Sequence, residues 1–173
     1  MATYTIDNAH SEIDFSVRHM MFAKVRGQFK TWTAKLAYDA ASPTKSTIEV
    51  EVETASIDTR EPQRDGHLRS ADFLESEKFP KMIFKSKRID GSGKHWKLTG
   101  DLTIRDVTKE VTLDVEQTGS GKDPWGSDRL GFTAKGSINR SDWGLKWNQA
   151  LEAGGVLVSD KVDIEVEAQV VAK

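Results

Sequence analysis

The C-terminal segment alternates strictly. Val162, Ile164, Val166, Ala168 and Val170 are interleaved with Asp163, Glu165, Glu167 and Gln169. Successive side chains of a β-strand point to opposite faces, so this segment has one wet face and one apolar face. The same period recurs in Trp96, Leu98, Gly100, Leu102 and Ile104, set against Lys97, Thr99, Asp101, Thr103 and Arg105. It recurs again in Val111, Leu113 and Val115, and in Leu130, Phe132, Ala134 and Ile138. A chain built this way must close its sheet around something apolar, either packed side chains or a bound apolar molecule.

Strands are predicted at 12–18, 25–39, 46–53, 81–89, 96–105, 107–118, 129–139 and 160–171. Their connections are mostly short, which favours an antiparallel meander. No βαβ alternation is present, which argues against a nucleotide-binding α/β fold. In the second strand the apolar phase slips. Val25, Gly27 and Phe29 are odd, whereas Trp32, Ala34, Leu36 and Tyr38 are even. A one-residue slip flips the buried face, so a bulge or sharp bend is expected near Lys30 and Thr31. Alternation stops over 58–80, where Pro62 suits the first turn of a short helix running to about Ser70. Residues 141–155 are irregular, with a helical turn expected at 148–153, ended by Gly154 and Gly155.

Both a barrel and a sandwich accept one-sided strands. The Cys–Trp–Cys spacing of immunoglobulin sandwiches is absent. Strands of about 10 residues span roughly 30 Å. The small residues Gly100, Ala134, Gly136 and Ala168 on the apolar faces have two readings: a taper in a filled interior, or room for a chain-like ligand. Spacing alone leaves both open.

The 173 residues suit one domain over 1–173, long enough to bury a core without staples. With no cysteine, disulfides, thiolate zinc sites and cysteine nucleophiles are excluded. A net charge of -2 supplies no global field for nucleic acid. No apolar run approaches the roughly 20 residues of a membrane helix, so an integral membrane protein is not expected. The N-terminus carries no visible signal peptide. A cytoplasmic protein is expected as the sequence stands, and a periplasmic one if a leader was removed.

An ordered set of short strings runs along the chain. It comprises Tyr4-Thr5-Ile6-Asp7, His10-Ser11, Phe15-Ser16-Val17-Arg18-His19, Gly27-Gln28-Phe29, Ile57-Asp58-Thr59 and Arg64-Asp65-Gly66-His67-Leu68. It continues with Ser70-Ala71-Asp72-Phe73, Lys78-Phe79-Pro80, Gly100-Asp101-Leu102, Asn139-Arg140-Ser141-Asp142-Trp143-Gly144 and Val158-Ser159-Asp160. Together these closely resemble the YceI family across essentially the whole chain. Tyr4 departs from it, standing where the family often has tryptophan. The resemblance implies an all-β fold, an elongated, lipocalin-like, eight-stranded antiparallel barrel, here with a short helical segment around 62–75. It implies a long amphiphilic lipid held in an apolar pore, such as a polyisoprenoid, an isoprenoid quinone or a fatty chain. Several members are dimers, so a homodimer is an open expectation.

A prenyl chain has no hydrogen-bonding groups, so its pocket needs apolar walls and few polar anchors. The inward positions Ile13, Phe15, Val17, Phe29, Phe84, Leu102, Leu113, Phe132 and Ile138 are the candidate walls, with about 0.8 kcal/mol available per buried methylene. His19, Arg64, His67, Phe73 and Trp143 complete the candidate ligand-binding set. Arg64 and His67 are placed to meet a phosphate or a quinone carbonyl. The structural alternative makes the apolar positions ordinary core, and makes Arg64–Asp65 and His67 a capped, ion-paired loop. Arg140 and Asp142 read as a pair seating Trp143, with Trp143 and Trp147 lining or plugging the barrel mouth.

Metal or acid–base chemistry would require His10 and His19 to converge with His67. No ligand pair at suitable spacing exists among them, and Ser11 lies in no Gly-x-Ser-x-Gly elbow. No catalytic residue, metal or cofactor is expected. Glu49, Glu51 and Glu53 read as a solvated strand face. The leading reading is therefore non-enzymatic binding, for transport or storage of the lipid. Its rivals are an enzyme acting on such a lipid through His10, His19 and His67, and an interaction scaffold using the 58–80 and 141–155 loops.

Overall fold

Eleven strand segments form one closed sheet in the computed structural model, which describes residues 2–151 and 155–172. They are β1 (Ala2–Ile6), β2 (Glu12–His19), β3 (Ala23–Phe29), β4 (Trp32–Tyr38), β5 (Thr47–Glu53) and β6 (Ile57–Asp58). Then come β7 (Lys81–Ser92), β8 (His95–Ile104), β9 (Val107–Lys122), β10 (Asp128–Asn139) and β11 (Lys161–Ala172). Every pairing between them is antiparallel.

Closure comes from β11. One of its edges pairs with β10 along the whole strand, and the other pairs with β2 near its start and β1 near its end. β1 and β2 are thus one interrupted strand, and the same holds for β3 with β4 and for β5 with β6. Each such pair counted as one, the sheet is the expected eight-stranded up-and-down barrel in sequence order. The first segment, β1, was not among the expected strands. It is short, and its inward side chains Tyr4 and Ile6 are too few to carry a clear period.

The bend expected near Lys30 and Thr31 separates β3 from β4, and it is one part of a crease. The other two strands break beside it, at the 3-10 turns Asn8–His10 and Thr54–Ser56. Cross-links join the breaks: the Lys30 amide donates to the Ser56 carbonyl at 3.2 Å, and the Asn8 side-chain amide donates to the Trp32 carbonyl at 3.0 Å. The crease lets three consecutive strands change inward phase together, so each keeps its apolar face to the lumen.

One end of the barrel is covered by two crossing segments. The first is α1 (Pro62–Leu68), capped by Glu61, whose carboxylate accepts from the Gln63 and Arg64 amides. This helix stops at Leu68, short of the expected 70–75, and turns follow to residue 78. Buried Asp65 anchors it by accepting from the Thr59 amide at 2.8 Å and from the Thr59 hydroxyl. The second begins with the 3-10 turn Arg140–Trp143. The helical turn expected at 148–153 is not formed over 148–151. Ala150 instead bridges Val156 in strand-like pairing, and residues 152–154 lie outside the described residues.

The small residues divide between the two sequence readings. A Cβ on Gly100 would sit 2.5 Å from both the Lys85 carbonyl and the Phe84 ring, and one on Gly136 would sit 2.5 Å from Leu113. Those two positions are filled by neighbours. Ala134 and Ala168 face open space instead.

Candidate ligand-binding pore

Along most of the barrel the inward faces do not meet. They enclose a cavity of about 480 Å³, within the roughly 300–1,000 Å³ typical of ligand sites. Strand β2 contributes Ile13, Phe15, Val17 and His19 to its lining. Phe29 enters from β3, Phe84 from β7, Leu102 from β8, Leu113 from β9, and Phe132 and Ile138 from β10. Phe73 and the helix residues Arg64 and His67 join them from the covered end.

Trp143 is the exception among the predicted site residues. It is 3% exposed, and its indole N–H donates to the Leu102 carbonyl at 2.9 Å. It seats the 140–144 turn on the barrel end and does not border the cavity. Trp147 does border it, as do Trp32, Tyr38, Trp96, Leu98, Thr59 and Arg140, which were not singled out as ligand contacts. The signal for Trp32, Tyr38, Trp96 and Leu98 was the same alternation. Thr59 and Arg140 lie in irregular segments, where no period points inward.

The two ends of the cavity differ in chemistry. At one end aromatic rings bridge the lumen in a chain. Tyr4 meets Tyr38 at 6.1 Å, Tyr38 meets Phe132 at 6.1 Å, and Phe132 meets Trp96 at 6.5 Å. The Tyr38 hydroxyl also donates to the Gln117 side-chain carbonyl at 3.3 Å. Burial beside Tyr4 raises the Tyr38 phenol above its ordinary range, so it stays neutral.

At the other end polar groups collect. Arg64 donates from Nε to the Thr59 hydroxyl at 2.8 Å and from Nη2 to the Thr59 carbonyl at 2.7 Å. His67 Nε2 lies 2.8 Å from an Asp72 carboxylate oxygen, and its ring stands edge-on to Trp147 at 4.6 Å and Phe73 at 5.1 Å. Arg64 and Asp65 are not paired with each other as foreseen; both hold Thr59, and the ion-pair contact of this loop is His67 with Asp72. Arg140 is not paired with Asp142 as foreseen. It donates to the carbonyls of Leu145, Val158 and Ser159 and lies over the Phe73 ring. Burial lowers its pKa from the usual value, an effect that Asp160 opposes.

The three histidines are not assembled. His19 and His67 line the cavity, whereas His10 lies at the crease with Nδ1 2.7 Å from Asp7. Asp7 also accepts from Arg129 at 2.7 Å. That bond, ahead of the His10 contact, holds its carboxyl below the usual range. Among the described residues no group of three His, Asp or Glu side chains is placed to hold a metal. No described helix is long and apolar enough to cross a membrane.

Asp14 on β2 shares its surroundings with Glu12, Glu165 and Glu167. Burial, ahead of repulsion from these neighbours, pushes its carboxyl up to about 6. Among the described residues, the 58–80 and 141–151 segments do not stand off as free loops. Phe73, Leu74, Trp143 and Leu145 from them belong to the buried core, with Trp147 packed against it.

Comparison with known proteins agrees with this architecture. The YceI-like domain profile matches residues 4–170. A UPF0312 protein of Staphylococcus aureus strain MSSA476 is 37% identical over 170 residues, covering 98% of this chain and 97% of the relative. The crystal structure of the Campylobacter jejuni YCEI protein superposes with a TM-score of 0.78 at 31% identity, over 100% of this chain and 99% of that one. BcnA of Burkholderia cenocepacia gives a TM-score of 0.83 at 22% identity, over 95% of this chain and 98% of that one. A polyisoprenoid binding domain from Saccharophagus degradans gives 0.71 at 14% identity, over the full length of both.

Proposed function

The chain belongs to the YceI-like domain family, and from that premise we propose that it binds a long-chain amphiphilic lipid and carries or stores it without changing it chemically. The observation that carries this reading is the asymmetry of the cavity. Its walls along the barrel are apolar apart from Asp14, and Arg64, His67 and Arg140 stand together at one end. An apolar tail gains about 0.8 kcal/mol for each methylene buried, with no directional contact needed. A polar headgroup can remain at the rim, beside donors.

A prenyl tail is the favoured occupant, either a polyisoprenoid or an isoprenoid quinone, with a fatty chain as the related alternative. The Saccharophagus degradans neighbour, described as a polyisoprenoid binding domain, supports that preference. The catalytic alternative needs His10 in the same cleft as His19 and His67, and His10 is turned to Asp7 instead.

The test is extraction of the purified protein with organic solvent and mass spectrometry beside a blank, followed by titration with geranylgeraniol. Trp96 and Trp147 border the cavity and report occupancy by fluorescence. Saturable, stoichiometric quenching that is lost in Phe132→Glu is expected. No change at saturating ligand, or equal binding by the folded variant, overturns the proposal.

A further inference from the structure

The β2–β3 hairpin ends in an exposed apolar tip. Met21 is 59% exposed and Phe22 is 74% exposed, with Met20 and Val156 beside them. The backbone makes this placement costly. Met20 and Met21 have φ of 52° and 70°, and the Phe22 amide closes the turn on the His19 carbonyl at 3.3 Å. Two consecutive positive-φ positions suit Asn-Gly far better than two methionines. Polar residues would serve a turn in water better on both counts.

The tip is continuous with the pore. His19, immediately before it, lines the cavity and bridges Val158, which also lines it. The Met20 amide donates to the carbonyl of Leu157, another lining residue, at 2.8 Å. This is the end that carries Arg64 and His67, opposite the aromatic cap.

Charge completes the pattern. Arg18 and Lys24 face each other across the hairpin, with Arg26 next along β3, all exposed. None has an acidic partner within ion-pair distance among the described residues. The acidic cluster around Asp14 lies farther along β2, toward the crease.

We propose that residues 20–22 are a bilayer-docking tip, which inserts Met21 and Phe22 at an anionic lipid surface while Arg18, Lys24 and Arg26 meet its headgroups. The end of the pore that carries Arg64 and His67 then faces the membrane, and an amphiphile passes between the two without crossing water. This rests on the lipid-binding reading above and adds where the ligand is exchanged. Apolar insertion and basic attraction act together in such interfacial anchors. Exposure alone is not sufficient. Trp125 is 83% exposed but stands on the β9–β10 loop at the other end, where the basic residues Lys122 and Arg129 are already paired with Asp128 and Asp123.

The experiment compares wild type, the double variant Met21→Asp/Phe22→Asp, and Trp125→Ala. Each is floated with vesicles of phosphatidylcholine alone or mixed with phosphatidylglycerol, and each is titrated separately with geranylgeraniol. Wild type and Trp125→Ala are expected to float with the anionic vesicles. The double variant is expected to lose that binding by roughly tenfold or more while keeping its geranylgeraniol affinity. Wild type that takes up geranylgeraniol but ignores anionic vesicles overturns the docking proposal and leaves the lipid-binding reading standing. So does a double variant that floats like wild type. A wild-type dimer that the double variant dissociates, without vesicle binding by either, identifies the tip as a contact between copies and also overturns it. No uptake of geranylgeraniol by wild type removes the lipid-binding reading, and the docking proposal falls with it.

Discussion

Tyr38 and Phe132 meet edge to face at the capped end of the barrel, ring centroids 6.1 Å apart and planes at 66°, although their strands are not neighbours in the sheet. Rings that touch across a lumen set its length. Trp96 extends the contact through Phe132, and Tyr4 extends it through Tyr38.

Phe132→Ala removes the middle of that cap. The barrel is expected to lose about 2 kcal/mol, below the usual cost for a phenylalanine because one side of the ring already borders open space. The pore should lengthen, so competition among prenyl alcohols of increasing length should shift toward the longer ones. An unchanged length preference in the folded variant would separate the cap from ligand selection.

Trp143→Phe tests the opposite kind of residue. The indole donates to the Leu102 carbonyl from a fully packed site outside the cavity. Deleting that donor removes a buried hydrogen bond and should cost about 0.5–1.5 kcal/mol in urea unfolding. Geranylgeraniol affinity should be unaffected. A matching loss of affinity would place Trp143 in contact with the ligand after all.

Gly66→Ala should stabilise the protein. Gly66 lies inside α1, and a Cβ there meets nothing within 4 Å. Alanine favours the helix and narrows the unfolded ensemble, by about 0.5–1 kcal/mol. A higher Tm with unchanged ligand binding is the expected outcome, and a lower Tm would show that α1 does not tolerate the side chain.

Asp14 makes stability depend on pH in the less common direction. Its folded pKa of about 6 stands above the ordinary 3.8, so the folded state holds a proton that the unfolded state releases between those values. Its contribution therefore favours folding at low pH and is lost as pH rises through about 6. Asp14→Asn removes this dependence. The variant should melt roughly 2–4 °C above wild type at pH 7, a gain kept modest by solvent screening around the cluster. The gap should close below pH 4. A gap of equal size at both ends of the pH range would assign the effect to packing.

Much of the barrel is written in its two-residue period. Val162 to Val170 are legible because one face must be apolar and the other wet. The slip between Phe29 and Trp32 is legible because a shift of register inverts the buried set. The crease is not, since its other two breaks, at Asn8–His10 and Thr54–Ser56, involve residues with no apolar phase to lose. The same limit governs the site. Ile13, Phe15 and Leu113 announce an inward face, but alternation cannot say whether that face is filled. Trp143 and Trp147 sit four residues apart in an irregular segment, and only tertiary packing decides that one borders the cavity and the other does not. Arg140 read as a partner for Asp142 because they are close in sequence, but three backbone carbonyls satisfy its guanidinium instead.

The rim supplies the sharpest functional prediction. Arg64 spends Nε and Nη2 on Thr59, while Nη1 has no partner among the described residues. A guanidinium fixed on one side and open on the other can receive a phosphate oxygen without losing its anchor. Arg64→Ala should therefore weaken binding of geranylgeranyl phosphate by about tenfold, the lower end for a charge-assisted hydrogen bond because the rim is wet. Binding of geranylgeraniol, which has the same tail and no charge, should hardly change. Arg64→Lys should retain part of the preference, since the charge remains but the fork is lost. Equal losses for both ligands would make Arg64 only a support for the 58–65 loop, and the headgroup would then have to be bound elsewhere.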